Sequence, residues 1–358
     1  MKKALALALA FAFVVSMAAC AKTEPATQTD TTQEAATEQA AEATAPEAPA
    51  AAKEAKDIKI AIVSQNQGNP VFLDLEVGAN DKAKELGIQF EWVAPPTADA
   101  VAQAEMIETL SNSGVDAIGV VPLNSTLNDP MQKASEKGIY MAAINGIDIF
   151  YPGLAFIAGT PQYEGGYESG KLALKYLADT SKTYKIAMIE GQAGTETFTL
   201  RMDGFKACLD ENNVKYEVLG PYPCNDDFAL SGELVEQATN DNPDLDMWFF
   251  SGGWPFFLDP AAMPNFAAWE NGVDHVCITF DSFPPMEVYF TQELCSGAVG
   301  QDYYQMGQLT VEYLYKLVRG EALPEKDADF KGVDWYSTGV EIITPDNYKE
   351  IFAAKRPW

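Results

Sequence analysis

The sequence predicts an α/β protein of two lobes, each a parallel sheet flanked by helices. Three observations carry this. Short apolar runs alternate with helix-like stretches from Asp57 onward, the pattern of strands covered by helices on both sheet faces. The alternation falls into two series, the second beginning near Leu154, without obvious sequence repetition. Polar or aromatic residues (Gln65, Asn69, Asn145, Trp254, Asp281, Gln301) collect where the apolar runs stop, and open parallel sheets bind ligands just beyond the carboxyl ends of their strands. With 358 residues, 47% of them hydrophobic, the chain is long enough for two domains with real cores.

The stretch from Lys59 to Phe72 sets the pattern. Ile60, Ala61, Ile62 and Val63 suit a strand buried on both faces. A polar turn from Ser64 to Asn69, including Gly68, follows. Asn69-Pro70 reads as a helix start, because Asn caps well and Pro fits the first helical position. That helix is expected to reach Gly87, with Leu73, Val77, Ala83 and Leu86 among its apolar positions. Next come a strand over Ile88 to Val93, a helix over Ala98 to Ser113, a strand over Val115 to Val121, a short helix over Pro130 to Lys137, and a strand over Ile139 to Ile144 that stops at Asn145-Gly146. In the second series, strands are expected at Leu154–Ala158, Lys185–Ile189, Val214–Leu219, Met247–Phe250, Val276–Phe280 and Ala298–Gly300. Helices are expected from Gln162 to Leu177, around Arg201 to Leu209, over Leu230 to Thr239 and over Met306 to Val318, with a strand-like Val340 to Ile343 in the tail.

The N-terminus reads as an address. Lys2 and Lys3 form a charged region and Ala4 to Val15 an apolar one, too short for a bilayer span. Met17-Ala18-Ala19-Cys20 resembles the bacterial lipobox, with Met where Leu is commoner, so that residues 1–20 form a lipoprotein signal and Cys20 becomes the lipidated N-terminus. An ordinary cleaved signal with an incidental cysteine is the alternative. Residues 21–56, rich in Ala, Thr, Glu, Gln and Pro and without an aromatic residue, read as a disordered tether. The formal charge of −28 argues against nucleic acid and anionic membrane surfaces as partners. No CxxC pair exists, and the single histidine, His275, cannot complete a His-containing zinc cluster, so no metal or cofactor is expected. Cys277 and Cys295 would lie at one sheet end, where a disulfide or plain buried thiols are both open.

Several short motifs then occur in order: Asn69-Pro70-x-Phe72, Gly191-x-Ala193-Gly194-Thr195, Arg201-Met-Asp-Gly204-Phe205, Pro243-Asp244, Phe280-Asp281 and Val299-Gly300-Gln301-Asp302. Each is weak alone. Their order from Asp57 to about Ile343 resembles the type I periplasmic binding proteins of the ribose and galactose group, which capture sugars for ABC importers. The resemblance implies two Rossmann-like lobes joined by a three-stretch hinge, with residues 57–159 plus 302–330 in the N-terminal lobe and 160–301 plus 331–358 in the C-terminal lobe. It implies a ligand site in which Asn69, Arg201, Asp281 and Gln301 hydrogen-bond a sugar while Phe72 and Phe228 face its ring. Asn145-Gly146 stands where ribose binders carry an Asp-Arg pair, Val121 replaces an amide, and Ser251-Gly252-Gly253 replaces an asparagine and brings Trp254 as an extra aromatic. Asn145 and Trp254 therefore join the expected set, and the pocket should be less charged and more aromatic than a ribose site.

These residue types suit the task. Each sugar hydroxyl donates once and accepts twice; Asp only accepts, Arg only donates, and Asn and Gln do both. Aromatic rings cover the C–H faces. Arg201 alone supplies too little positive charge for an anionic ligand, so a neutral sugar or polyol is expected. Each residue also has a plainer reading: Arg201 paired with Asp203 or Glu196 on a helix surface, Asp281 as a helix cap before Pro284, Phe72, Phe228 and Trp254 as packing, His275 as structural. The function expected is an extracytoplasmic, lipid-anchored monomeric receptor that hands its ligand to an ABC permease. A chemotaxis or kinase-linked receptor of the same fold is the first alternative. A secreted sugar-active hydrolase is the second, opposed by the lack of a visible nucleophile–base pair. A sugar-responsive transcription factor of this fold would need a DNA-binding segment in place of the export signal.

Overall fold

The first apolar series, joined by the strand expected to open the second, folds into β1 (Lys59–Val63), α1 (Val71–Leu86), β2 (Gln89–Val93), α2 (Ala100–Asn112), β3 (Ala117–Val120), α3 (Asn128–Glu136), β4 (Tyr140–Ile144) and β5 (Phe156–Gly159). The second gives α4 (Gln162–Leu174), β6 (Thr183–Glu190), α5 (Glu196–Glu211), β7 (Lys215–Pro223), α6 (Phe228–Asp241), β8 (Met247–Phe250), α7 (Pro264–Ala267), β9 (Val276–Phe280), α8 (Glu287–Thr291) and β10 (Gly297–Gly300). The chain ends with α9 (Tyr303–Val318), β11 (Ala328–Phe330), β12 (Val333–Ser337), β13 (Glu341–Ile343) and α10 (Tyr348–Ala354). The computed structural model describes residues 53–67, 69, 71–269 and 275–354. The expected signal, Cys20 and residues 21–52 of the expected tether lie outside the described residues.

Two sheets form. One has the order β11-β12-β5-β4-β3-β1-β2, the other β13-β10-β9-β8-β6-β7. β1 to β5 pair in parallel, as do β6 to β10. Inner strands such as β3, β5, β8 and β9 are buried at every residue, as expected of apolar runs covered by helices on both faces. The edge strand β7 is largely exposed and mixes Lys, Glu, Tyr and Pro, and such edges resist unwanted pairing.

The chain passes between the sheets three times: from β5 into α4, from β10 into α9, and from β12 into β13. α4 packs on α5, β9 and β10. α9 packs on α1, β3 and β4. The expected three-stretch hinge is therefore residues 160–161, 301–302 and 338–340.

Two expectations need correction. The lobe boundary after residue 330 falls inside a hairpin, because β11 pairs antiparallel with β12 and β12 pairs in parallel with β5. Residues through Ser337 thus extend the first sheet, and only β13 and α10 return to the second. β12, Val333-Asp-Trp-Tyr-Ser, is hard to see in the sequence because it mixes polar and aromatic residues and no helix separates it from its partner strand. Residues 53–56, expected in the tether, join the folded part: the Lys53 ammonium pairs with Asp116 at 2.7 Å while Arg319 Nη1 donates to the Lys53 carbonyl at 3.2 Å. Of the two readings left open for Cys277 and Cys295, plain buried thiols hold: the two lie side by side as free cysteines, as Cys208 and Cys224 are free and buried.

The second lobe's core is unusually aromatic. Trp248 is fully buried, stacks on Phe250 at 5.2 Å, and donates from Nε1 to Thr239 Oγ1 at 3.0 Å. Burial of each such side chain is worth roughly 1.5–3 kcal/mol, and the hydrogen bond removes the cost of hiding the indole N–H. On the other face α4 meets α5 almost backbone to backbone: a Cβ on Gly166 would lie 2.0 Å from the Arg201 carbonyl oxygen. That close approach sets where the Arg201 side chain enters the site.

Candidate ligand-binding cleft

The strand ends build one cavity of about 120 Å³. Asn69, Phe72, Asn145, Arg201, Phe228, Trp254, Asp281 and Gln301 all line it. The first sheet contributes the turns after β1, β3 and β4, and the second those after β6, β7, β8 and β9. In both sheets this is the carboxyl edge, where a strand order such as β2-β1-β3 or β7-β6-β8 reverses and leaves a crevice.

Buried amides hold the first-lobe turns. Gln103, fully buried on α2, donates to the carbonyls of Ser64 and Val121 at 2.9 and 2.8 Å and accepts from Leu123 N at 3.1 Å. It thereby ties the ends of β1 and β3 together. Gln65 Nε2 donates to Pro122 O at 2.9 Å across the same gap. Asn69 Oδ1 accepts from Val71 N at 3.1 Å, the capping contact expected at the start of α1. Phe72 lies one turn into the site, edge-on to Tyr303 at 5.9 Å.

In the second lobe Arg201 is the centre. It is 3% exposed. Its Nε donates to Gln162 Oε1 and its Nη1 to Ser251 O, both at 2.7 Å, and its guanidinium carbon sits 3.8 Å from the centre of the Phe280 ring. The plainer reading of Arg201 fails, because Asp203 pairs with Lys206 and Glu196 with Lys331. Burial pushes the guanidinium pKa down, while the Asp281 carboxylate and Tyr303 oppose that shift. A buried charge needs such partners, or its desolvation would cost several kcal/mol, roughly.

Asp281 does not cap a helix. The cap residue of the turn at Pro284–Met286 is Phe283, which makes no side-chain cap bond. Instead Asp281, in left-handed backbone at φ 75, accepts from Gly253 N at 3.0 Å and from Gln301 Nε2. An oxygen held this way keeps lone pairs for a further donor.

The hinge carries a continuous amide chain. Asn145 Oδ1 accepts from Thr160 N at 3.0 Å and Gln162 Nε2 at 2.8 Å, and its Nδ2 donates to Gln301 Oε1 at 2.7 Å. Gln301 Nε2 also donates to the Tyr303 hydroxyl at 2.9 Å. The chain thus starts at Arg201 and Gln162 in the second lobe, crosses to Asn145 at the end of β4 in the first, and returns through Gln301 to Asp281 in the second. Both ends of the Gln301 amide are engaged by protein, so it positions Asp281 and Tyr303.

Sequence reasoning did not single out Gln162, Tyr303, Phe198, Phe257, Asp148 or Asp226, although all but Gln162 line the cavity. Phe228 stacks on Phe257 at 4.4 Å and Phe198 meets Trp254 edge-on at 5.1 Å, so the expected aromatics come in pairs. Tyr303 directly follows the Gln301-Asp302 motif, and Asp226 stands two residues before Phe228; nearness to expected residues was the available signal. His275 is structural, as expected, with Nδ1 2.6 Å from Leu245 O.

Residues 60–322 match the family model described as periplasmic binding protein domain. The chain belongs to this family. Among curated relatives, this periplasmic binding protein is 29% identical over 195 residues to the D-ribose/D-allose-binding protein of Pseudomonas aeruginosa, an alignment covering 52% of this chain and 60% of that one. It is 22% identical over 269 residues to the ribose import binding protein RbsB of Bacillus subtilis, covering 74% and 83%. The alignments to the Pseudomonas protein and to the D-allose-binding periplasmic protein of Escherichia coli thus span only 60% and 61% of those relatives. The fold matches a solute-binding protein from Burkholderia graminis solved with D-arabinose, at TM-score 0.69 and 24% identity, over 82% of this chain and 98% of that one. It also matches one from Actinobacillus succinogenes with bound D-allose, at TM-score 0.70 and 18% identity, over 82% and 100%. At these identities the solved structures establish the type I fold.

Proposed function

We propose that this periplasmic binding protein is an extracytoplasmic receptor that encloses a neutral sugar or polyol between its lobes and delivers it to an ABC importer, anchored to a membrane through lipid on Cys20. The observation that carries the reading is the joint placement of Arg201, Asp281, the Asn69 amide and the paired aromatic rings on one small cavity at both carboxyl sheet edges. The names of the curated relatives support sugar as the ligand class and transport, rather than catalysis, as the purpose.

In this reading Arg201 donates to ligand hydroxyls, Asp281 accepts from them, and Asn69 donates through Nδ2. Phe72 and Phe228 cover C–H faces, with Trp254 as the added aromatic. Asn145 and Gln301 act mainly through the hinge, because their amides already bind protein groups. Charged hydrogen bonds contribute roughly 1.5–3 kcal/mol each and neutral ones about 1. A few of them with one aromatic sandwich reach about −8 kcal/mol, micromolar affinity, after the cost of association. Hinge closure around the ligand is well known in periplasmic binding proteins, and here each lobe supplies contacts that only a closed gap can satisfy together.

The test is a thermal-shift screen against pentoses, hexoses, polyols, inositols and nucleosides, followed by calorimetry. A sugar or polyol should raise the melting temperature, and Asp281→Ala should weaken its binding by at least about tenfold, ~1.4 kcal/mol. Unchanged affinity in both Asp281→Ala and Arg201→Ala would remove the site.

A further inference from the structure

The cleft carries a second carboxylate that the protein itself leaves incompletely matched. Asp226 follows β7 in left-handed backbone at φ 58, directly after Asn225 at φ 54. Such conformations are uncommon for residues other than glycine and cluster at functional sites. Trp254 Nε1 donates to Asp226 Oδ1 at 3.0 Å, and Gln192 hydrogen-bonds the same side chain. Gly191 leaves the room: a Cβ there would fall 2.6 Å from Asp226 Oδ1 and 2.6 Å from Phe198 Cε2. The residue is exposed, and yet burial by surrounding protein pushes its carboxyl pKa up. Asp226 lines the cavity.

Asp281 offers the contrast. Its charge attracts the Arg201 guanidinium, and it accepts from the Gly253 and Gln301 N–H groups. The charge that acts on Asp226 is Asp281, which repels it. A carboxylate with two neutral side-chain donors, and no cation among the described residues found to balance it, has acceptor capacity to spare, and a ligand hydroxyl is the donor that can use it.

We propose that Asp226, presented by Trp254 and Gln192, is a specificity-determining acceptor that takes a hydroxyl of the bound sugar distinct from the one taken by Asp281. This rests on the reading of the cleft as a sugar site. The ligand class narrows accordingly to sugars or polyols with free hydroxyls at two separate positions, one for each carboxylate. Trp254 then has two tasks, since its ring lines the cavity and its N–H aims the acid.

The experiment uses, from D-ribose, D-allose, D-arabinose, D-galactose and myo-inositol, the one that raises the melting temperature most, together with its monodeoxy analogues. Wild type, Asp226→Asn, Asp226→Ala, Gly191→Ala and Asp281→Ala are titrated by calorimetry, with circular dichroism to confirm folding. Asp226→Asn keeps an oxygen for Trp254 and removes the charge, so it serves if Asp226→Ala folds poorly. Both Asp226 variants should bind the parent sugar about tenfold or more weakly, and Gly191→Ala should follow by displacing the carboxylate. One monodeoxy analogue should lose a similar factor on wild type and bind the Asp226 variants as well as the parent sugar does. Affinity within about twofold of wild type for Asp226→Asn, while Asp281→Ala loses tenfold or more, overturns this inference and leaves the cleft reading standing. Indifference of both positions, or no shift from any of the sugars, overturns both.

Discussion

The two walls of the cleft are built differently. The first lobe presents mostly neutral amides and carbonyls from the turns after β1 and β3, held by Gln103 and Gln65. The second presents a buried guanidinium, two carboxylates and most of the aromatic rings. Its groups are also more firmly placed, because Arg201 is gripped by Gln162, Ser251 O and the Phe280 face. The first wall carries one carboxylate, Asp148, against a guanidinium and two carboxylates on the second, which implies unequal shares of the binding energy: the second lobe should supply most of the affinity, and the first should close over a ligand already held.

Variants can break or sharpen that comparison. The largest effect is expected from Arg201→Ala, which should weaken sugar binding by at least about tenfold and also lower the melting temperature, since Gln162 and Ser251 O lose their donor. Calorimetry and thermal melts on one preparation measure both. Equal losses from first-lobe and second-lobe variants would erase the asymmetry. Gly166→Ala reaches the same wall from behind: its Cβ would meet the Arg201 carbonyl at 2.0 Å, and such overpacking costs typically about 1–3 kcal/mol. Denaturant unfolding should show that loss. Trp254→Phe should cost less than Arg201→Ala, because it keeps a ring in the cavity and removes only the N–H that holds Asp226. Removal of that donor should weaken binding by about fivefold, near 1 kcal/mol for a neutral hydrogen bond. In the first lobe, Asn69→Ala should lower affinity by no more than about the same factor, and should shorten helix α1 by removing its cap. The smallest effect is expected at the rim, where Lys331 on the first lobe pairs with Glu196 on the second at 3.0 Å, each 38% exposed. An exposed pair of this kind contributes about 0–1 kcal/mol, so Lys331→Ala should change affinity by under about fivefold, and less still in high salt.

Much of the fold is legible in the amino-acid sequence because its signals are local. Met247–Phe250 and Val276–Phe280 form strands with the expected bounds. A short, wholly apolar run can only be satisfied by burial on both faces. The candidate site is legible to the extent that ligands meet strand ends: Asn145, Asp281 and Gln301 each follow an apolar run directly. What they do there is less legible. In the sequence Asn145 and Gln301 look like free ligand amides, whereas the folded chain joins them to each other across 156 positions. Likewise Asp226 is no more than a neighbour of Phe228 until Trp254, 28 positions on, places its N–H against it.

The amino-acid order alone therefore determined the layered α/β architecture, its two series of strands and the edge at which a solute would sit, since period, length and charge act within a few residues. Only the folded chain decided that β12 joins the first sheet, that Cys277 and Cys295 meet as thiols, and how the cleft's acids and amides share their hydrogen bonds. Those outcomes depend on contacts between distant segments, whose worth is set by geometry and desolvation that no local pattern records.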